Sequence, residues 1–320
     1  MLALPAAKPK IAISACLLGA EVRYNGGHKE SRLCSRTLTE YFEFAPVCPE
    51  VAIGLGIPRE PIRLVGDPEH PQAIGTVNPS INVTQPLAEY GEKMAAELDD
   101  ICGYIFMQQS PSCGLERVKV YHVNGAPVNG GGRGIYAQAF CAQHPDLPVE
   151  EAGRLNDPVL RENFITRVFA YSAWQQVLAD GLSRRALTEF HSRYKYLLMA
   201  HNPLQYKALG KLLGNMAHTD PAELGPRYFS ELMAALKKCA TRGTHCNVLL
   251  HISGYLKQVI SAEDKQEMVH VIDQYRLGIV PLVVPLTLLK HHFRQHPDPY
   301  IAQQVYLQPH PENLSLRNAI

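Results

Sequence analysis

Apolar residues fall in two different rhythms along this chain. In the first half they come in short runs, at residues 11–14, 44–47, 104–107 and 118–122, with Gly, Pro, Ser or Asn close by. Short apolar runs of this kind read as buried strands. Between them, residues 30–41 and 87–100 repeat their apolar positions at helical spacing, and a third helix over 134–140 follows the glycine-rich stretch 129–136. Asn124-Gly125 is a hairpin dipeptide, so the run 118–122 is expected to pair through it. Strands alternating with helices predict an α/β domain, Rossmann-like, with a mainly parallel sheet.

After a polar, proline-containing boundary at residues 145–157 the period changes. Apolar residues now recur every three or four positions over 159–178, 183–199, 203–215, 225–239, 244–259, 263–277 and 281–296, and Asp157-Pro158 supplies a helix start. The predicted organisation is an α/β domain over residues 1–155 followed by an all-α domain over 156–320.

Composition narrows the classes. At 320 residues, with 46% apolar and 19% charged, both halves can bury a core and neither reads as disordered. The longest apolar run, 278–289, is broken by Pro281 and Pro285, so no membrane span is expected. Residues 1–10 lack a basic start followed by an apolar core, which argues against a secretory signal. Eight cysteines without such a signal imply reduced thiols in a cytoplasm, where metal binding or catalysis is the better reading than disulfides. The near-zero net charge hides an asymmetry. Residues 1–155 carry 13 basic against 17 acidic residues, a net −4, and residues 156–320 carry 18 against 13, a net +5, with ten of the fourteen histidines.

Three cysteines stand in tight turns directly after strand-like runs: Cys16 in Ser14-Ala-Cys-Leu-Leu-Gly19, Cys48 in Pro46-Val-Cys-Pro-Glu50, and Cys113 in Ser110-Pro-Ser-Cys-Gly114. A lone cysteine is most simply a buried core thiol. Three at strand ends can converge where α/β folds place their sites, and three thiolates with one ligand missing describe an iron–sulfur cluster with an open iron. Cys34 is the reserve ligand. Cys239, His245 and Cys246 lack a fourth partner for zinc. Glu50, two residues beyond Cys48, could exchange protons beside a metal, and Ser112 could orient a substrate or a water. Ser14, Arg23, Tyr24, Asn25 and Arg133 are candidates for substrate or anion contact, the last within Gly130-Gly-Gly-Arg-Gly134, whose backbone N–H groups could meet an anion. In the second half, basic and aromatic residues interleave. Arg193, Lys195, His201, His251, Tyr255, Lys257, Lys290 and Arg294 suit RNA, neutralising phosphate while aromatic rings stack on bases; solvated helix faces are the plainer alternative.

Residues 13–19 with 22–26, Cys48-Pro-Glu50 with 54–59, and 110–114 resemble the thiouracil desulfidase (TudS) family. Residues 190–201, 242–247, 280–282 and 285–289 resemble the YbgA-like helical family, and the fusion is similar to the tRNA 4-thiouridine desulfidase type. The resemblance implies a [4Fe-4S] cluster held by Cys16, Cys48 and Cys113, with Glu50 and Ser112 catalytic. It further implies conversion of 4-thiouridine in tRNA to uridine without net redox, and a helical domain that binds tRNA. Two alternatives stay open: desulfidation of free thiouracil or thionucleotides with the helical half serving oligomerisation, and a non-catalytic iron–sulfur sensor that binds RNA. Oligomeric state is not legible.

Overall fold

A computed structural model describes residues 7–215 and 219–320, so residues 1–6 of the N-terminal stretch lie outside the described residues. The chain divides into one compact unit over 7–156 and another over 157–320.

In the first unit the strands are β1 (Lys10–Ser14), β2 (Glu43–Val47), β3 (Ile62–Gly66), β4 (Pro71–Gly75), β5 (Tyr104–Phe106), β6 (Val120–Tyr121) and β7 (Val149–Glu151). Four of them form a parallel sheet in the order β2-β1-β5-β7, with Ile13 opposite Pro46 on one side and Ile105 on the other. β1 lies inside the sheet and is covered on both faces. Ile11, Ala12 and Ile13 are accordingly all inaccessible, and the strand reads as a continuous apolar run rather than an alternation. Each such isoleucine contributes about 1.5–3 kcal/mol on burial. The strand order reverses between β1 and β5, which makes their carboxyl ends a topological switch point. The helices of this unit are the single turn α1 (Pro49–Ala52), α2 (Thr84–Glu97) and α3 (Ile135–Gln143). α2 and α3 touch closely at Gly91, where a Cβ would stand 2.8 Å from the Tyr136 carbonyl oxygen.

Several sequence expectations are corrected here. Residues 30–41 hold a π-helical turn at Leu33–Thr37 and a 3-10 turn at Leu38–Glu40 instead of an α-helix. The strand expected over 118–122 shortens to β6. Its ladder runs parallel to β3, and the expected hairpin is present beside it: Gly125 N–H closes the turn on the His122 C=O, His122 N–H donates to Ala126 C=O and Val128 N–H to Val120 C=O, with a bridge from Tyr121 to Pro127. The second sheet, β4-β3-β6, was not anticipated at all. β7 lies inside the stretch expected to be a boundary, and there it completes the parallel sheet.

The second unit is helical: α4 (Pro158–Ala179), α5 (Arg184–His201), α6 (Pro203–Gly214), α7 (Pro221–Lys237), α8 (Arg242–Ser253), α9 (Ala262–Arg276), α10 (Val283–Gln295) and the single turn α11 (Pro299–Ala302). Asp157 caps α4 by accepting the Val159 and Leu160 N–H groups, with Pro158 at the first helical position. Aromatic residues knit the core: Trp174 stacks on Phe229 at 4.9 Å and Phe190 on Tyr194 at 4.3 Å between centroids. No described helix is long and apolar enough to cross a membrane.

Candidate functional site

Three adjacent parallel strands, β2, β1 and β5, end on the same side of the sheet. The turn after β1 carries Cys16, the residue after β2 is Cys48, and the loop after β5 carries Cys113. All three cysteines line one cavity of about 420 Å³. Cys34 and Ser112 do not line it, and Cys34 is wholly buried elsewhere in the π-helical turn.

Each turn is held by its own bonds. Ser14 Oγ accepts the Met107 N–H at 2.9 Å, tying β1 to the loop that carries Cys113, and the Ser14 hydroxyl also hydrogen-bonds to the Cys113 thiol. Ser110 Oγ accepts the Ser112 and Cys113 N–H groups at 3.2 and 3.1 Å. Glu151, from β7, accepts the Leu115 N–H at 2.9 Å. The α3 N-terminus closes over the same loop: Gly134, Ile135 and Ala137 donate their N–H groups to the carbonyls of Gly114, Pro111 and Ser112. Within the glycine run, Gly134 thus gives its N–H to the cysteine loop and Gly132 gives its own to the Val118 carbonyl, and Gly134 is glycine because a Cβ there would lie 2.5 Å from the Ser112 carbonyl. Arg133 is likewise engaged, its Nε donating to the Leu115 carbonyl at 3.0 Å, and it does not line the cavity.

Burial dominates the thiols. It pushes Cys16 up to about 11, with Cys48 adding to the rise and Arg23 opposing it. Cys48 is raised for the same reason, and Cys113 is held well above the ordinary thiol range by burial and by the nearby Glu50. Free, these thiols keep their protons; a metal that replaces the protons removes that penalty. Among the described residues no group of three or more His, Cys, Asp or Glu gathers closely enough to hold a single metal ion. The three cysteines line one cavity together, and three thiols are a donor set that suits a polynuclear cluster, in which each thiolate binds a different iron. Cys246 turns its thiol to the Ile272 carbonyl at 3.7 Å and His245 bonds the Tyr306 hydroxyl at 3.0 Å, so these two do not form a zinc site.

Glu50 faces the cavity from α1. Its Oε1 accepts the Ser112 hydroxyl at 2.8 Å, and its Oε2 accepts Nε and Nη2 of Arg59 at 2.9 and 2.6 Å. Ser112 is fully buried and does not line the cavity; its link to the cavity is the hydrogen bond to Glu50. Arg59 was missed by the sequence reading, as were Lys29 and Gln109, which line the cavity; Gln109 is held at φ 59°. Arg23, Tyr24 and Ser14 line the cavity as expected of substrate contacts, with the Arg23 guanidinium 5.6 Å from the Tyr24 ring centre. Asn25 does not: its Oδ1 accepts the Gly27 N–H at 3.2 Å and serves the turn.

The residues proposed for RNA sort differently. His201 is buried, with Nδ1 donating to the Lys238 carbonyl at 2.7 Å, so it belongs to the core of the helical unit. Arg193 has a buried Nε without a partner. His251, Tyr255, Lys257 and Arg294 are exposed, and Lys290 is paired with Glu312. Lys195 lies 5.6 Å from the Tyr300 ring centre, and Tyr255 stacks on Tyr300 at 5.9 Å, making one cationic and aromatic surface.

Residues 11–152 match the model of the 2-thiouracil desulfurase family, and residues 195–311 match that of a protein of unknown function, DUF1722. The uncharacterized protein YbgA of Escherichia coli (strain K12) is 30% identical over 159 residues, 49% of this chain and 94% of that protein. The uncharacterized protein YbbK of Bacillus subtilis (strain 168) is 31% identical over 128 residues, 38% of this chain and 84% of that protein. A solved structure described as the [4Fe-4S]-dependent thiouracil desulfidase TudS is 28% identical, covering 47% of this chain and 95% of its own, at a TM-score of 0.36.

Proposed function

This chain belongs to the 2-thiouracil desulfurase family through residues 11–152, joined to a DUF1722 domain over residues 195–311, and on that premise we propose that it removes sulfur from a thiolated pyrimidine, converting 4-thiouridine in tRNA to uridine. The observation that carries the reading is that Cys16, Cys48 and Cys113 line one cavity together with Glu50.

The donor set fits a [4Fe-4S] cluster with one iron left free of protein thiolate, held by Cys16, Cys48 and Cys113. When bound, such a cluster supplies a soft Lewis acid for the sulfur of a C=S group. The chain's own residues supply the rest. Glu50 accepts a proton from the water that adds to the thiocarbonyl carbon, with Arg59 and Ser112 holding its two oxygens in place. The new C–O bond replaces the C–S bond, sulfur leaves as hydrogen sulfide, and no electrons are exchanged. Arg23 and Tyr24 at the cavity wall suit the phosphate and ring of a nucleotide. Lys195, Tyr255 and Tyr300 support the assignment of the helical unit to tRNA, because stacked rings beside an ammonium suit unpaired bases and phosphate.

The test is anaerobic incubation of cluster-reconstituted protein with bulk bacterial tRNA, followed by nucleoside mass spectrometry. The expected result is loss of 4-thiouridine with a matching gain of uridine, abolished by Cys113→Ala. Turnover of free thiouracil with tRNA untouched would remove the tRNA assignment, and no turnover of either with full iron and sulfide content would overturn the enzyme reading.

A further inference from the structure

Glu50 projects from a four-residue helix, an element too short to fix a side chain by itself. What fixes it comes from nine residues further on. After α1 the chain reverses through Gly54 (φ 87°) and Gly56 (φ 74°), conformations that favour glycine. It is then anchored by the Arg59 N–H donating to the Tyr24 carbonyl at 2.8 Å. The returning Arg59 spends its guanidinium locally. Nη1 donates to the Gly56 carbonyl at 3.0 Å, and Nε and Nη2 both donate to Glu50 Oε2. The Arg59 side chain is only 5% exposed and that of Glu50 16%, so this is a largely desolvated pair whose geometry is set by its own loop.

We propose that Arg59 is the positioning residue of Glu50, saturating Oε2 so that Oε1, which takes only the Ser112 hydroxyl, is the oxygen that receives the proton from the reacting water. The inference rests on the desulfidase reading above. Arg59 acts through Glu50, and Lys is a poor substitute because an ammonium cannot span Oε2 and the Gly56 carbonyl from one rigid plane.

The test is a double-mutant cycle in the full-length, cluster-loaded protein with Arg59→Gln, Glu50→Gln and the pair, and with Arg59→Lys as the milder variant. Arg59→Gln is expected to lower kcat roughly ten- to hundredfold, as loss of an orienting partner does, with KM nearly unchanged and iron content retained. In the Glu50→Gln background it is expected to cost nothing further. Full activity in Arg59→Gln, or an undiminished extra loss in the double variant, would overturn the inference. The same four proteins, stripped of iron, give a readout independent of turnover. The single variants' drops in thermal midpoint should sum to more than the double variant's, and additive drops would refute the clamp even if the wild type proved inactive on every thiobase. An inactive wild type with non-additive midpoints would instead fault the functional reading and leave the clamp standing.

Discussion

Glu50 and Ser112 differ in what they can touch, and their variants should differ accordingly. Glu50 faces the cavity, whereas Ser112 is fully buried, does not line it and gives its single proton to Oε1. Glu50→Gln keeps the shape and removes the base, so kcat should fall about 10²–10⁴-fold, the range for loss of general-base catalysis, with the iron content unchanged. Ser112→Ala removes one hydrogen bond to a charged group, about 1.5–3 kcal/mol, so its loss should be smaller and confined to kcat. Steady-state kinetics on both variants decides it, and a Ser112→Ala defect mainly in KM would mean that Ser112 meets the substrate after all. At this scale the cysteines were readable because Gly, Pro and Ser turns after apolar runs mark strand ends in the sequence itself. Arg59 was not, because nothing local distinguishes an arginine that a later turn carries back. For Arg133 the difficulty is the converse: a glycine run beside an arginine looks like an anion cradle in sequence, whereas Arg133 Nε is held by the Leu115 carbonyl and the residue does not line the cavity.

Helix α3 and the Cys113 loop depend on each other, and Gly134 is where the dependence is tightest. A Cβ at Gly134 would stand 2.5 Å from the Ser112 carbonyl, which is backbone and cannot swing aside. Gly134→Ala should therefore displace the loop, at about 1–3 kcal/mol for overpacking, and lower iron retention together with activity. Thermal unfolding of the iron-free protein and iron analysis after reconstitution measure the two effects; a variant with wild-type iron content and midpoint would show that the loop yields freely. Most elements of long period were legible, residues 30–41 excepted, where helical spacing ends in a π-helical and a 3-10 turn. The helices α4 to α10 all fall on stretches read as helical, because apolar spacing over a dozen or more residues leaves few alternatives. The short β-elements were not. β3 and β4 are five residues each among Pro58, Pro61, Pro68 and Pro71, and that density of proline reads as loop. β7 carries Glu150 and Glu151, which look solvent-facing until Arg154 and the Leu115 N–H are seen to take them.

The helical unit buries more titratable groups than its basic composition suggests, and this makes its stability depend on pH in a definite direction. Burial pushes His245 down to about 3 and His191 to about 4, the latter helped by Lys195, and burial also lowers His201. Burial pushes the Glu162 carboxyl up, but the neighbouring His310 and the Arg317 guanidinium, 3.1 Å away, outweigh it and hold the carboxyl well below the usual range. At 3.5 Å the His310 contact is at the limit of a hydrogen bond, so Arg317 is the firmer partner. In the unfolded chain His245 and His191 take a proton near pH 6.5, whereas folded they stay neutral until well below, and His201 is shifted in the same direction. The unfolded state therefore binds more protons across the interval, and stability is complete above about pH 6.5 and falls as the pH drops toward 4. Each histidine contributes a slope of about 1.4 kcal/mol per pH unit while its folded and unfolded forms differ by one proton. Glu162 acts in the same direction at lower pH, since a depressed carboxyl gives stability that is lost on acidification. The chain has a single tryptophan, Trp174, buried in this unit, so its fluorescence follows the helical unit's own unfolding. The urea midpoint reported by Trp174 should fall between about pH 7.5 and pH 5, and His245→Gln, which cannot take up a proton in either state, should flatten that fall. A midpoint that stayed level or rose on acidification would mean that these imidazoles are charged inside the fold, and the burial argument for the unit would be wrong.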